Sequence, residues 1–180
     1  MGTTKDAKIK MMNLFFDCEF THFQEGAELP GLISIGVISS DGRCFYAENE
    51  NVQPELFSEF VIDTVIPLLE GGDALMPYAE IARRLKEYIE SFEGETKLWT
   101  DAPIYDWPHV QHLFDSHGWP VNLRRQPIHL LFSSGLRNMR FELAVKDMFN
   151  SNPKMHMHHA LDDAIANKYA FEVTSMWRSY

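Results

Sequence analysis

Along the first fifty residues the apolar and polar positions fall into three short runs with the spacing of β-strands. Residues 12–20 (MNLFFDCEF) put Phe16, Cys18 and Phe20 on one side of an extended chain and Phe15, Asp17 and Glu19 on the other. Residues 31–40 (GLISIGVISS) are apolar enough for a central strand. Asp41-Gly42 then supplies a hairpin turn into a third strand over 43–49.

Beyond residue 50 the period lengthens. Helices are predicted over 55–69 and 77–92, the second carrying Ile81, Leu85, Tyr88, Ile89 and Phe92 at helical spacing. A fourth strand is predicted at 96–100. The helix over 103–117 opens on Pro103, which a first helical turn accepts. A fifth strand at 128–132 and helices at 136–149 and about 160–177 complete the chain. The order βββ-α-α-β-α-β-α-α predicts an α/β domain with a mixed sheet flanked by helices, its antiparallel hairpin first and its parallel strands added through crossovers. One domain over 12–180 is expected, after a lead-in of residues 1–11.

Composition narrows the class. The 180 residues are enough for one sizeable core, and 45% apolar with 23% charged content is that of a soluble globular protein. No apolar run reaches the roughly 20 residues that span a bilayer, so no membrane partner is expected. The opening MGTTKDAKIK lacks the apolar stretch of a secretory signal. Cys18 and Cys44 make no disulfide framework; both are expected as buried, reduced strand thiols, which points to the cytoplasm. The net charge of −10 argues against a bulk electrostatic grip on nucleic acid. The charge is uneven, however: residues 48–101 hold 13 acids and 4 bases, while 121–154 hold 6 bases and 2 acids.

Three acidic signals carry the candidate chemistry. Asp17 and Glu19 stand two apart near the end of the first strand, where like charges are costly unless a cation compensates. Oxygen-only pairs of this kind suit hard divalent cations; a polar strand end is the competing account. Asp101 and Asp106 follow the fourth strand, with Asp101 placed to cap the helix that begins near Pro103. Lastly, HMHHALDD (156–163) sets three histidines before Asp162-Asp163, which fit a helix's first turn. No cysteine or histidine at zinc-site spacing accompanies them.

In sequence order these signals read D-x-E, a middle Asp, and H-x4-D, and here the chain resembles the DEDDh 3′–5′ exonucleases of the ribonuclease H-like superfamily. FFDCEF followed by LISIGVISSDGRCFYAE is most similar to the small mycobacterial-type exoribonuclease branch. The resemblance spans roughly residues 12–172. It implies a ribonuclease H-like fold, metal ligands at Asp17, Glu19, Asp106 and Asp163, and His158 as general base. Helix geometry alone favours His159, four residues before Asp163, over His158, about 140° away around the axis. The family places its histidine in the preceding loop, which selects His158. Two positions depart from the family: Phe20 replaces a frequent threonine, and DAPIYD lacks a frequent asparagine.

The implied activity is two-metal hydrolysis, with Mg²⁺ or Mn²⁺, of single-stranded RNA or DNA from the 3′ end, RNA preferred. Glu19 would also position the terminal 3′ hydroxyl. Phe20, Phe23 and Trp107 are candidate stacking surfaces for a base, with core packing the competing role. Arg124, Arg125, Arg137 and Arg140 are candidate phosphate contacts, with a solvated basic face the competing account. A homodimer is a form related exonucleases often take; Trp119 and Met139, where exposed, are its candidate anchors, with core packing the default alternative. An oligoribonuclease-like enzyme acting on short oligonucleotides, and a non-catalytic ribonuclease H-like binding module, are the alternative functions.

Overall fold

The three early runs form the strands that their alternation predicts. The computed structural model describes residues 11–23, 28–131 and 135–175. β1 (Met11–Phe20), β2 (Leu32–Ser39) and β3 (Cys44–Asn49) make an antiparallel meander. β5 (Glu95–Thr100) adds parallel to the other side of β1, and β6 (Ile128–His129) adds parallel to β5. A two-residue strand, β4 (Leu75–Met76), pairs parallel with the end of β3. The sheet order is β4-β3-β2-β1-β5-β6, so the chain's first strand lies inside the sheet.

Helices cover both faces, as the amphipathic pattern requires. α1 (Tyr78–Glu90) and α2 (Pro103–His117) pack Leu85, Ile89, Val110 and Phe114 against Leu14, Phe16 and Cys18. α3 (Gly135–Ser151) and α4 (Ala160–Ser175) cover the opposite face, where Phe15 meets Phe141, Ala164 and Ala170. α4 lies directly on β2 at Gly36. A Cβ there would sit 2.2 Å from the Leu161 nitrogen, so only glycine permits the contact.

Several boundaries differ from expectation. The segment predicted as a helix over 55–69 is instead a 3₁₀ turn (Pro54–Leu56), a break, a π-helical stretch (Val61–Val65) and a second 3₁₀ turn (Ile66–Leu68). Val61, Ile62, Thr64, Val65 and Ile66 are β-branched and poor in regular helices, and Pro67 lacks the N–H a continuing helix needs. What holds the segment is burial of Val61 and Val65 against Ile33. The strand predicted over 128–132 is two residues long, and Phe132 lies outside the described residues, as do 1–10 of the lead-in and 176–177 of the last helix. β4 was too short to leave a period in the sequence. Cys18 is buried as expected; Cys44, at the turn end of β3, is exposed. Trp119 is half-buried against Trp107 and Phe114 rather than exposed, whereas Met139 is exposed on α3.

Candidate active site

β1 and β5 pair only as far as Phe15 and Trp99, and beyond that register the two strands part. The gap at their carboxyl ends is where open α/β sheets form ligand crevices. Asp17 and Glu19 continue along β1 on the same side as Phe15, Asp17 pairing with Gly36 of β2. The chain leaving β5 brings Asp101 and then Asp106, in the first turn of α2, to the same gap. Across the sheet, α4 starts over Gly36 and so delivers Asp163 to Asp17.

Carboxylate oxygens of Asp17, Glu19 and Asp163 lie within 4.8 Å of one another, and so do those of Asp17, Asp101 and Asp106. The Thr100 hydroxyl donates to Asp106 Oδ2, and the Ala102 N–H donates to Thr100 Oγ1 at 3.0 Å, which fixes the carboxylate although it is only 1% exposed. Asp163 Oδ2 accepts the His158 N–H at 2.7 Å, and the Asp163 N–H donates to the His159 carbonyl at 3.0 Å. Its neighbour Asp162 instead accepts the His156 N–H at 2.8 Å and closes the turn before α4.

Burial followed by mutual repulsion pushes these acids upward. Glu19 rises to about 8, through burial and then the charges of Asp163 and Asp106. Asp106 rises to about 8 through burial, with the Thr100 hydrogen bond opposing. Asp163 rises to about 7 through burial, opposed by the His158 N–H. Asp17, amid all of them, is raised well above the usual carboxylate range by burial and then by Asp106, Asp163 and Glu19.

The cleft these groups line is about 280 Å³, and among the described residues no Lys or Arg lines it. Carboxylates converging without a fixed cation are the donor set of a hard divalent-ion site, so the residues fit Mg²⁺ or Mn²⁺.

The two histidines separate clearly. His158 lines the cleft, with its ring edge-on to Phe60 at 5.0 Å and its backbone at φ 68°, the left-handed region. Burial lowers its pKa. His159, which helix geometry favours, turns away to lie 4.5 Å from the Tyr46 ring, buried beside Glu70 and Asp162. The chain is not yet helical at His158, so the four-residue rule has no purchase there.

Of the predicted stacking residues, Phe20 and Phe23 line the cleft. Phe20 sits at an irregularity in the β1–β2 register, stacked on His109 at 5.5 Å and Tyr105 at 6.3 Å. Phe23 is 66% exposed and meets Phe20 and Tyr105 edge-on. Trp107 is a correction: it is buried in the α1–α2 core against Trp119 and is not part of the lining. Asp101 is another. α2 has no side-chain cap, and Asp101 Oδ1 accepts a 2.8 Å hydrogen bond from Asn167 Nδ2 of α4. Tyr105, beside Asp106, and Ser58 and Phe60, from the irregular segment, join the cleft without any spacing that announces them. Arg124 pairs with Glu95 at 3.7 Å, and Arg125 lies over the Trp119 ring. Both therefore sit near the start of β5, about 13 Å or more along the strand from the acids at its end.

No family model matches the chain, and no curated protein matches it in sequence. Solved structures do match. The nuclease domain of 3′hExo, a DEDDh family member bound to rAMP, superposes with a TM-score of 0.56 at 13% identity, over 97% of this chain and 94% of that one. Exonuclease I from Methylocaldum szegediense gives 0.59 at 16% identity, over 94% of this chain and 41% of that one. The zinc-bound E. coli ExoI–ssDNA complex gives 0.53 at 16% identity, over 93% and 40%. The chain thus spans about two-fifths of the length of these exonuclease I chains. A mixed six-stranded sheet with helices on both faces, superposing over 94% of the 3′hExo nuclease domain, has the ribonuclease H-like fold.

Proposed function

We propose that this protein is a metal-dependent 3′–5′ exonuclease acting on single-stranded nucleic acid, RNA preferred, of the small mycobacterial-type exoribonuclease branch. The observation that carries the reading is the meeting of Asp17, Glu19, Asp106, Asp163 and His158, scattered over 147 positions of sequence, in one cleft. Two divalent ions, when bound, supply Lewis acidity at the scissile phosphate and a water acidified toward neutrality. Asp17, shared by both carboxylate groups, and its neighbours hold the ions. His158 accepts the water's proton; burial lowers its pKa and so favours the neutral ring that can take one up. Glu19 also orients the terminal 3′ hydroxyl. Phe20, Phe23 and Tyr105 offer ring faces for the terminal base, and Phe60 closes the cleft beside His158.

The preference for RNA rests on the branch resemblance. The matching structures include both an rAMP-bound nuclease domain and an ssDNA complex. Two features favour a second reading, short oligonucleotides: a net charge of −10, and a cleft with no Lys or Arg among its described residues, provide little for a long phosphate backbone.

The test is shortening of 5′-labelled single strands, RNA beside DNA and 2-mers beside 20-mers, with Mn²⁺ or EDTA. The expected result is loss from the 3′ end with Mn²⁺ alone, faster on RNA, and abolished in Asp163→Asn. Shortening that persists in EDTA or in Asp163→Asn overturns the reading, as does its absence from the wild type with Mn²⁺.

A further inference from the structure

The acids in the cleft divide into two groups of three that share Asp17, and the D-x-E…D…H-x4-D pattern leaves one of them unexplained. Asp17, Glu19 and Asp163 form the first group. Asp17, Asp106 and Asp101 form the second, and Asp101 is the member that the pattern omits.

A solvated loop acid or a helix cap is the ordinary role for such a residue, and neither describes it. The residue at the cap of α2 is Ala102, and no side chain caps that end. Asp101 is instead held from two other elements. Its carbonyl lies 2.9 Å from His129 Nε2 of β6, and its Oδ1 accepts the Asn167 amide at 2.8 Å. Asn167 is 4% exposed and stands one helical turn after Asp163, so the helix that supplies the first group's Asp163 also orients the second group's Asp101. An amide fixes a carboxylate without neutralising it. With no Lys or Arg among the described lining residues, a cation from solution supplies the compensating charge.

Building on the metal site of the reading above, we propose that Asp101 is a fifth carboxylate ligand, which with Asp17 and Asp106 holds the second divalent ion before nucleic acid arrives. Asn167 is its positioning residue, the outer partner that aims a ligating oxygen. Without Asp101 the second ion is left with Asp106 and a carboxylate already shared with the first.

The test is calorimetric titration of the purified full chain with Mn²⁺, in the absence of nucleic acid, for wild type, Asp101→Asn and Asn167→Ala. Melting in EDTA confirms that each is folded. Asparagine at 101 keeps the size and an acceptor for the Asn167 amide, so the fold holds. The wild type is expected to take up two ions. Asp101→Asn should bind the first with unchanged affinity and the second about tenfold or more weaker, and Asn167→Ala should weaken the same ion in the same direction. A wild type that binds one ion, or an Asp101→Asn protein that binds two with wild-type affinities, overturns the proposal. Strand shortening on the same samples separates the two ideas. Loss of the second ion in Asp101→Asn with no cleavage by wild type sinks the nuclease reading alone; cleavage with unchanged titrations sinks the role of Asp101 alone.

Discussion

His158 holds a backbone conformation that few residues other than glycine adopt, and it does so beside Asp163. At φ 68° its N–H points to Asp163 Oδ2, and its ring is left facing the cleft. Asparagine enters this region more readily than alanine does. His158→Asn should therefore keep the melting temperature of the wild type while losing about 10²–10⁴-fold in kcat, the loss of a general base. His158→Ala should lose the same activity and some stability as well. Equal activity in either variant would remove His158 from the chemistry. The aromatic residues give a second contrast at this scale. Phe23→Ala should leave stability within about 0.5 kcal/mol, because the ring is 66% exposed, and should raise KM. Trp107→Ala, in the core, should cost about 3–5 kcal/mol in denaturant unfolding. Nothing in the two residues' local sequence separates these roles. Phe23 lines the cleft just after β1, whereas Trp107 lies on the side of α2 that packs against Trp119, and tertiary packing decides that.

Among the elements, α4 on β2 is the contact on which the site depends. Gly36 pairs with Asp17 on one side and lies under the Ala160–Leu161 backbone on its face. In Gly36→Ala the new Cβ would meet main chain at 2.2–2.4 Å, so the helix must lift and carry Asp163 and His158 with it. Overpacking of this kind costs about 1–3 kcal/mol, and both Mn²⁺ affinity and kcat should fall together with stability. A stable Gly36→Ala protein with wild-type Mn²⁺ affinity would show that the approach of α4 does not set the site. Of the strands beside this contact, β1 was legible from an alternation over ten residues and β2 from eight consecutive apolar or small residues, all buried. Residues 55–69 were not. Their apolar positions fit a helix, but β-branching and Pro67 favour short 3₁₀ and π turns, and burial against Ile33 decides between them. The motif and the family resemblance pointed to Asp17, Glu19, Asp106 and Asp163, which the fold brings to one cleft because each lies near an element end. They could not reach Asp101, whose role depends on Asn167, 66 residues away on another helix.

For the molecule as a whole, the concentration of acids in one cleft should make stability depend on pH and, if the proposed ions bind, on metal as well. The carboxyls of Glu19, Asp106 and Asp163 titrate near 4 in an unfolded chain and at about 7–8 in the fold. A raised carboxyl pKa means that the folded state binds protons the unfolded state has lost. The associated stability is therefore complete below about pH 4 and disappears as pH rises through 7–8. His109 acts in the opposite sense: burial, and then His112, lower it to about 4, so its contribution is lost as pH falls below about 6.5. The two effects offset each other in acid; above pH 6.5 the raised carboxyls still titrate, and the buried Cys18 thiol, also raised, acts in the same direction. In EDTA the melting temperature should consequently fall between pH 6.5 and 8.5. Divalent ions bind the deprotonated acids, so Mn²⁺ should stabilise little at pH 5 and strongly at pH 8. At a hundredfold excess over Kd the gain is about 2.7 kcal/mol per ion, roughly 5–10 °C for a chain of this length. Thermal melts at pH 5, 6.5 and 8, with EDTA or Mn²⁺, measure both effects. A metal-free melting temperature that rises toward pH 8, or Mn²⁺ stabilisation equal at pH 5 and 8, would show that the carboxylates are not the groups that couple the fold to its ions.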